Sequence, residues 1–269
     1  AELLFLLGET PANLQTRIPK QPAWLTDFLK AFNKPETELL ETSDLPPALQ
    51  PFAPLINSGL EKLQTTLGHL ALQNTELPFD IINVKGFFLP DLLQKFTSRL
   101  NRVLALEVNV ARLEGRLSGD TPQARFASFL TGLQEDGALL KLLAEYPVLA
   151  RQLTLITNNW ATTPGEFLVR LSADWPAILE KFAPENPGKL TGVKTGSGDS
   201  HRGGRSVFRA DFENGFKIIY KPKSLGNELH FQELLEWLNE RGATPAFRSL
   251  KIIDLGTHGW EEFVVAETC

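Results

Sequence analysis

The apolar residues of this chain change their spacing near residue 190, from steps of three and four to steps of two. No other feature restricts the fold as much. A period near 3.6 lines one stripe of a helix, and a period of 2 lines one face of a strand. The expected class is therefore α+β: a mostly helical region over residues 1–190, then antiparallel hairpins and one helix over 191–269.

Several stripes carry the helical reading. In "RLNRVLALEVNVARL" Val103, Leu106, Val110 and Leu113 fall on one side. "DTPQARFASFLTGL" begins afresh after Gly119, with Thr121 as N-cap, Pro122 at the first helical position, and Phe126, Phe129, Leu130 and Leu133 as its stripe. Leu149, Leu153, Ile156 and Trp160 repeat the spacing. Thr163 stands three residues before Glu166, a capping-box spacing that predicts another start. Phe167, Leu171, Trp175, Ile178 and Phe182 follow on one side, and Pro176 is expected to kink or divide that helix.

"APENPGKLTGVKTGSGDS" replaces this periodicity with Pro, Gly, Lys and Ser, which marks a boundary near residues 184–195. Beyond it, "RSVFRADF" and "FKIIYKP" flank Asn214-Gly215, the pair that most favours a two-residue hairpin turn. A two-residue loop sets the register: Ala210 opposite Ile219 and Phe208 opposite Lys221, so all four share a face. "NELHFQELLEWLNERG" reads as a helix closed by Gly242, and "RSLKIIDLG" with "WEEFVVAE" as a second antiparallel pair.

The totals exclude several classes. A formal net charge of −5 argues against a nucleic-acid protein. No apolar run approaches the roughly 20 residues of a membrane span, and "AELLFLLGE" lacks the basic start of a signal peptide. The single cysteine, Cys269, excludes an internal disulfide framework and suits a reducing, cytoplasmic setting. Four histidines and that cysteine make no zinc site, so no metal ligand is assigned. The chain has no Met and reads as a piece of a longer protein.

Two stretches invite chemistry. Lys221 shares its strand face with Ile219. It either snorkels at the strand end, with its stem on the sheet and its head in water, or meets a phosphate while Ile219 meets a base. Glu233 and Glu236 on the following helix are the acids that could hold it extended; Glu261 and Glu262 read as a solvated strand end. The segment "GSGDSHRGGR" places four glycines within Gly196–Arg205, together with Asp199, His201, Arg202 and Arg205. It is either a flexible linker or a phosphate cradle. In a cradle Gly203 and Gly204 would let backbone amides approach an anion, Arg205 would offer a planar fork, and His201 would move protons. It is not a Walker motif, for no Gly-Lys-Ser/Thr follows.

"GDSHRGGRSV", "GFKIIYKPKSL", "HFQELLEWLN" and "GWEEFV", in that order, resemble the dehydratase domain of class II lanthipeptide synthetases; the upstream "LEVNVARLEGRLSGDTPQARFASF" and "EYPVLARQL" resemble its helical region. The resemblance implies a kinase-like small lobe preceded by helices, with the large lobe beyond Cys269. It also implies an ATP- and Mg²⁺-dependent enzyme. Such an enzyme phosphorylates Ser and Thr of a ribosomal precursor peptide (a leader and a Ser/Thr/Cys-rich core) and eliminates the phosphate to dehydroalanine or dehydrobutyrine. By the same resemblance Lys221 meets ATP phosphates, with Ile219, Gly203, Gly204 and Glu233 around the nucleotide, and Asp199, His201 and Arg205 belong to the active-site loop. Two other readings stand beside it: another ATP-dependent kinase-like phosphotransferase, and a non-catalytic module that binds the leader peptide.

Overall fold

The computed structural model describes residues 21–33, 39–74, 76–182, 185–195 and 205–265. The helices are α1 Ala23–Asn33, α2 Ala53–Gln73, α3 Ile81–Leu113, α4 Pro122–Leu133, α5 Ala138–Glu145 and α6 Pro147–Lys181. Strands β1 Leu190–Lys194, β2 Phe208–Phe212 and β3 Lys217–Lys221 follow, then α7 Gly226–Glu240, β4 Ile252–Asp254 and β5 Gly259–Glu262. The chain is mostly helical with one antiparallel sheet, the α+β class its apolar spacing predicts.

Two compact units divide the chain, and α2, α3 and α6 give residues to both. The first takes the described part of Ala1–Ser58 together with Thr97–Thr157. Its core includes Phe52, Leu55, Ile56, Leu100, Leu104, Leu130 and Leu143, all buried. Thr121 caps α4 as expected, its Oγ1 accepting from the Ala124 N–H at 3.1 Å, and Phe129, Leu130 and Leu133 are buried behind it. The stripe expected on α3 is out of phase. Leu106 and Leu113 are exposed, and the buried line runs through Leu100, Leu104 and Ala111. That line continues the buried row Val84, Phe88, Leu92 and Phe96 of the same helix. Thirty-three residues at a steady step of nearly four outweigh a locally apolar window.

The second unit joins Gly59–Phe96 to Asn158–Cys269. No helix starts at Thr163: α6 passes without a break through Pro164 and Pro176. Trp160 is buried and donates its indole N–H to the Phe88 carbonyl at 3.0 Å, tying α6 to α3. The sheet order is β1-β2-β3-β5-β4, every neighbouring pair antiparallel. Phe208, Ala210 and Phe212 on β2, Ile218 and Tyr220 on β3, and Trp260 on β5 are all buried. Their rings meet those of α6: Phe167 lies 5.2 Å from Phe208, 5.3 Å from Tyr220 and 6.0 Å from Trp260, and Trp175 stacks on Phe212 at 5.0 Å.

The β2–β3 register corrects the two-residue turn. Phe208 pairs with Tyr220, Arg209 with Ile219 and Ala210 with Ile218. The loop is three residues, Glu213 to Gly215: the Phe212 N–H donates to the Phe216 carbonyl and the Gly215 N–H to the Phe212 carbonyl, both at 2.9 Å. Gly215 takes the one left-handed position, with φ of 87°. Asn214 is occupied elsewhere, bonding the Phe216 N–H at 2.8 Å and the Asn186 carbonyl at 3.2 Å. The single-residue offset exchanges faces. Phe208 and Ala210 point to α6, while Ile219 and Lys221 share the other face with Arg209 and Glu261.

Candidate functional site

Lys221 ends β3 beside Gly259 of β5, and two residues earlier Ile219 pairs with Glu261. The Lys221 ammonium forms an ion pair with Glu261, both side chains being mostly buried, at 22% and 16% exposure. Glu261 Oε2 is buried and completes no directional hydrogen bond among the described residues, so its charge is met by that ammonium alone. A lysine beside an apolar residue would be costly if unpaired; here alternation places it among charges. Arg209 closes a two-point bridge to Asp211, at 2.8 and 2.7 Å, and lies 5.1 Å over the Phe263 ring.

Of the helix acids expected to hold Lys221, Glu233 is engaged elsewhere. Glu233 is exposed and bonds His230 Nδ1 at 2.8 Å, one turn away on α7. The carboxylate facing Lys221 comes instead from β5, the stretch expected to be a solvated strand end. Pairing explains this: β5 lies next to β3 in the sheet, so Glu261 is carried alongside Lys221.

Arg205 lies just before β2 and grips Glu166 of α6 with both sides of its guanidinium, Nε to Oε2 at 2.9 Å and NH2 to Oε1 at 2.5 Å. That fork holds the Glu166 carboxyl below its ordinary range, against the opposing pull of burial. One turn on, Arg170 donates to the Tyr220 hydroxyl, whose pKa burial pushes up. Another turn on, Asp174 Oδ2 accepts from Trp260 Nε1 and meets His258 Nε2, each at 2.8 Å. Glu166, Arg170 and Asp174 thus form a polar row four residues apart along the edge of the apolar stripe. Sequence reading took Glu166 for a capping-box acid and passed over Arg170 and Asp174, yet that spacing beside Phe167 and Leu171 was the signal. The row fixes the foot of the Gly-rich segment, and β5 with the turn before it, to one helix. Asp199, His201, Gly203 and Gly204 lie outside the described residues.

A nucleotide needs a cation for its phosphates and an apolar contact for its base. Lys221 and Ile219 supply both on one face, so these residues suit it. Among the described residues no group of three or more His, Cys, Asp and Glu is gathered as a metal requires, and no Mg²⁺ ligand is assigned. No helix among them is long and apolar enough to cross a membrane.

The chain is similar to known proteins. Residues 146–269, which carry α6, the sheet and α7, match the family described as Domain of unknown function (DUF4135). Across 202 residues the chain is homologous, at 25% identity, to the lacticin 481/lactococcin biosynthesis protein LcnDR2 of Lactococcus lactis subsp. lactis. The match takes in 72% of this chain and 22% of that protein, so the chain spans about a fifth of the length of its relative. The likeness read from the Gly-rich string and the strings after it is borne out.

Proposed function

We propose that this chain carries the helical region, residues 1–190, and the nucleotide-facing small lobe, residues 191–269, of a lanthipeptide dehydratase. Such an enzyme transfers the γ-phosphoryl of ATP to Ser and Thr hydroxyls of a precursor peptide and then expels the phosphate. The observation that carries the reading is Lys221: it stands on the third strand, beside Ile219, on the sheet face turned away from α6. The surrounding order supports it. In protein kinases a Gly-rich loop covers the phosphates and the lysine that meets them lies on the third strand. Here the Gly-rich segment links β1 to β2, Lys221 ends β3, and α7 follows.

The Lys221–Glu261 pair keeps the ammonium extended before a ligand arrives, and entering phosphate oxygens exchange for, or share with, the carboxylate. ATP supplies the phosphoryl group; the chain's part is to position it and to oppose its charge. In the second half the α-proton leaves to a base, the Cβ–O bond breaks, and phosphate departs with the bonding pair, leaving the alkene. Asp199 and His201 are assigned to that step, with His201 suited to carry the proton; Arg205 must leave its fork with Glu166, on the α6 side of the sheet, to reach phosphate on the Lys221 face.

The test is co-expression of the protein with a Ser/Thr-containing precursor peptide, read by mass spectrometry. Lys221→Met should lower dehydration by roughly 10²–10³-fold, the usual loss for one electrostatic contact to a reacting oxyanion. Complete loss of water from the peptide with that variant rejects the assignment. A gain of phosphate without loss of water points to a phosphotransferase that lacks the lyase step.

A further inference from the structure

A cleft of about 330 Å³ opens between α2 and α6 within the second unit, away from the face that carries Lys221. Lys62 and Thr66 of α2 line it, with Gly165, Glu166, Val169 and Arg170 of α6. Its floor is bare because Gly165 lacks a side chain: a Cβ there would stand 3.3 Å from Thr66 Cγ2. With the Thr66 methyl and Val169, the floor is apolar. The volume is at the small end of ligand pockets, about 300–1,000 Å³. It admits one or two side chains, and a larger ligand must extend outside.

The charge around the cleft is one-sided. Arg205 takes both oxygens of Glu166. Lys62 meets a neutral oxygen, Asn158 Oδ1 at 2.5 Å, and Arg170 gives a hydrogen to the Tyr220 hydroxyl. Asp174, the next acid along α6, is committed to His258 and Trp260. Two cations therefore border an apolar floor whose one carboxylate is already neutralised.

We propose that this cleft docks an acidic peptide segment, with an encoded carboxylate side chain at Lys62 and Arg170 and an aliphatic neighbour on the floor at Gly165 and Val169. It rests on the peptide-modifying reading only for where that peptide comes from. Arginine and lysine bordering an apolar groove is a recurrent way to hold acidic or phosphorylated motifs. An anion held there leaves the Lys221 face free for nucleotide.

Fluorescence anisotropy with a labelled Leu/Ala/Glu peptide, its Gln counterpart and a counterpart with phosphothreonine tests this directly. The Glu peptide should bind at least about tenfold more tightly than the Gln peptide, the value of a lost charge-assisted contact. Lys62→Glu at the rim and Val169→Glu on the floor, both at solvent-exposed positions, should each weaken binding about fivefold or more while circular dichroism is unchanged. A Glu peptide that binds more tightly than the phosphothreonine peptide supports encoded acids as the occupant; a tighter phosphothreonine peptide overturns that assignment. Equal binding of Glu and Gln peptides, no binding, or full affinity in both variants overturns it. Dehydration of a precursor peptide is measured separately. Wild-type dehydration with no effect of Lys62→Glu on KM sinks the cleft alone, while absence of dehydration sinks the enzyme reading and leaves the anisotropy result to decide the cleft.

Discussion

Phe167→Ala should be the most damaging single truncation on α6, and its cost can be worked from the packing. The ring is fully buried and has four aromatic neighbours: Phe208 at 5.2 Å, Tyr220 at 5.3 Å, Trp260 at 6.0 Å and Phe88 at 6.2 Å. Truncating a core phenylalanine costs about 3–5 kcal/mol, from lost transfer energy and the void left behind. Ring pairs of this kind each add about 0.5–1.5 kcal/mol beyond area, which places this site near the top of that range. With about 2–4 °C per kcal/mol for domains of 150–250 residues, melting should fall by roughly 8–20 °C. Phe167→Leu keeps most of the volume and should cost about 1.5 kcal/mol. Val169→Ala, two residues away and 41% exposed, should stay within about 0.5 kcal/mol. Urea titration followed by tryptophan emission reads all three, because Trp160 and Trp260 are both buried in the same unit. A loss below about 1 kcal/mol for Phe167→Ala, or one equal to that of Val169→Ala, would refute the packing of α6 on the sheet.

Three other outcomes follow from the geometry. Glu166 is held below its ordinary carboxyl value of 4.5 by Arg205, so its stabilising contribution is complete above that value and is lost as pH falls through the lower folded one; the drop in urea midpoint between about pH 6 and pH 3 should be smaller in Glu166→Gln than in wild type, and identical profiles would dismiss the bridge. A Cβ at Gly259 would stand 2.5 Å from the Ile253 carbonyl oxygen and 2.6 Å from Leu225 Cδ1, so Gly259→Ala should destabilise by about 2–3 kcal/mol through overpacking, and a neutral melting curve would contradict the close approach of β4 and β5. Glu261→Gln removes the charge that faces Lys221, so nucleotide affinity, read by titration with a fluorescent ATP analogue, should change by several-fold; unchanged affinity would remove Glu261 from the site.

Much of this was readable in the residues, and the failures have identifiable causes. Thr121, Pro122 and the Phe129–Leu130–Leu133 stripe announced α4, because cap chemistry and period agreed there. Thr163 and Glu166 matched a capping box, but in α6 Thr163 is buried mid-helix, Glu166 is taken by Arg205, and Trp160 and Phe167 bury the helix through that point. Local chemistry lost to tertiary packing. Asn214-Gly215 signalled a hairpin correctly and its register wrongly, since Asn214 is drawn to Asn186, a residue the local pattern cannot see. The site divided in the same way. Lys221 with Ile219 was legible because a strand's period is local, whereas Glu261 and the Glu166–Arg205 fork depend on which elements lie side by side, and β5 joins β3 only after α7 has intervened.

The three-residue loop between β2 and β3 acts as a parity setting. With Phe208, Tyr220 and Trp260 committed to the dry side, an odd change in the number of residues between the two strands would carry the Lys221 amine into the aromatic layer, and an even change would return it. Substitutions at Glu213 or Asn214 can accumulate without moving that amine across the sheet, but loss of either residue outright cannot.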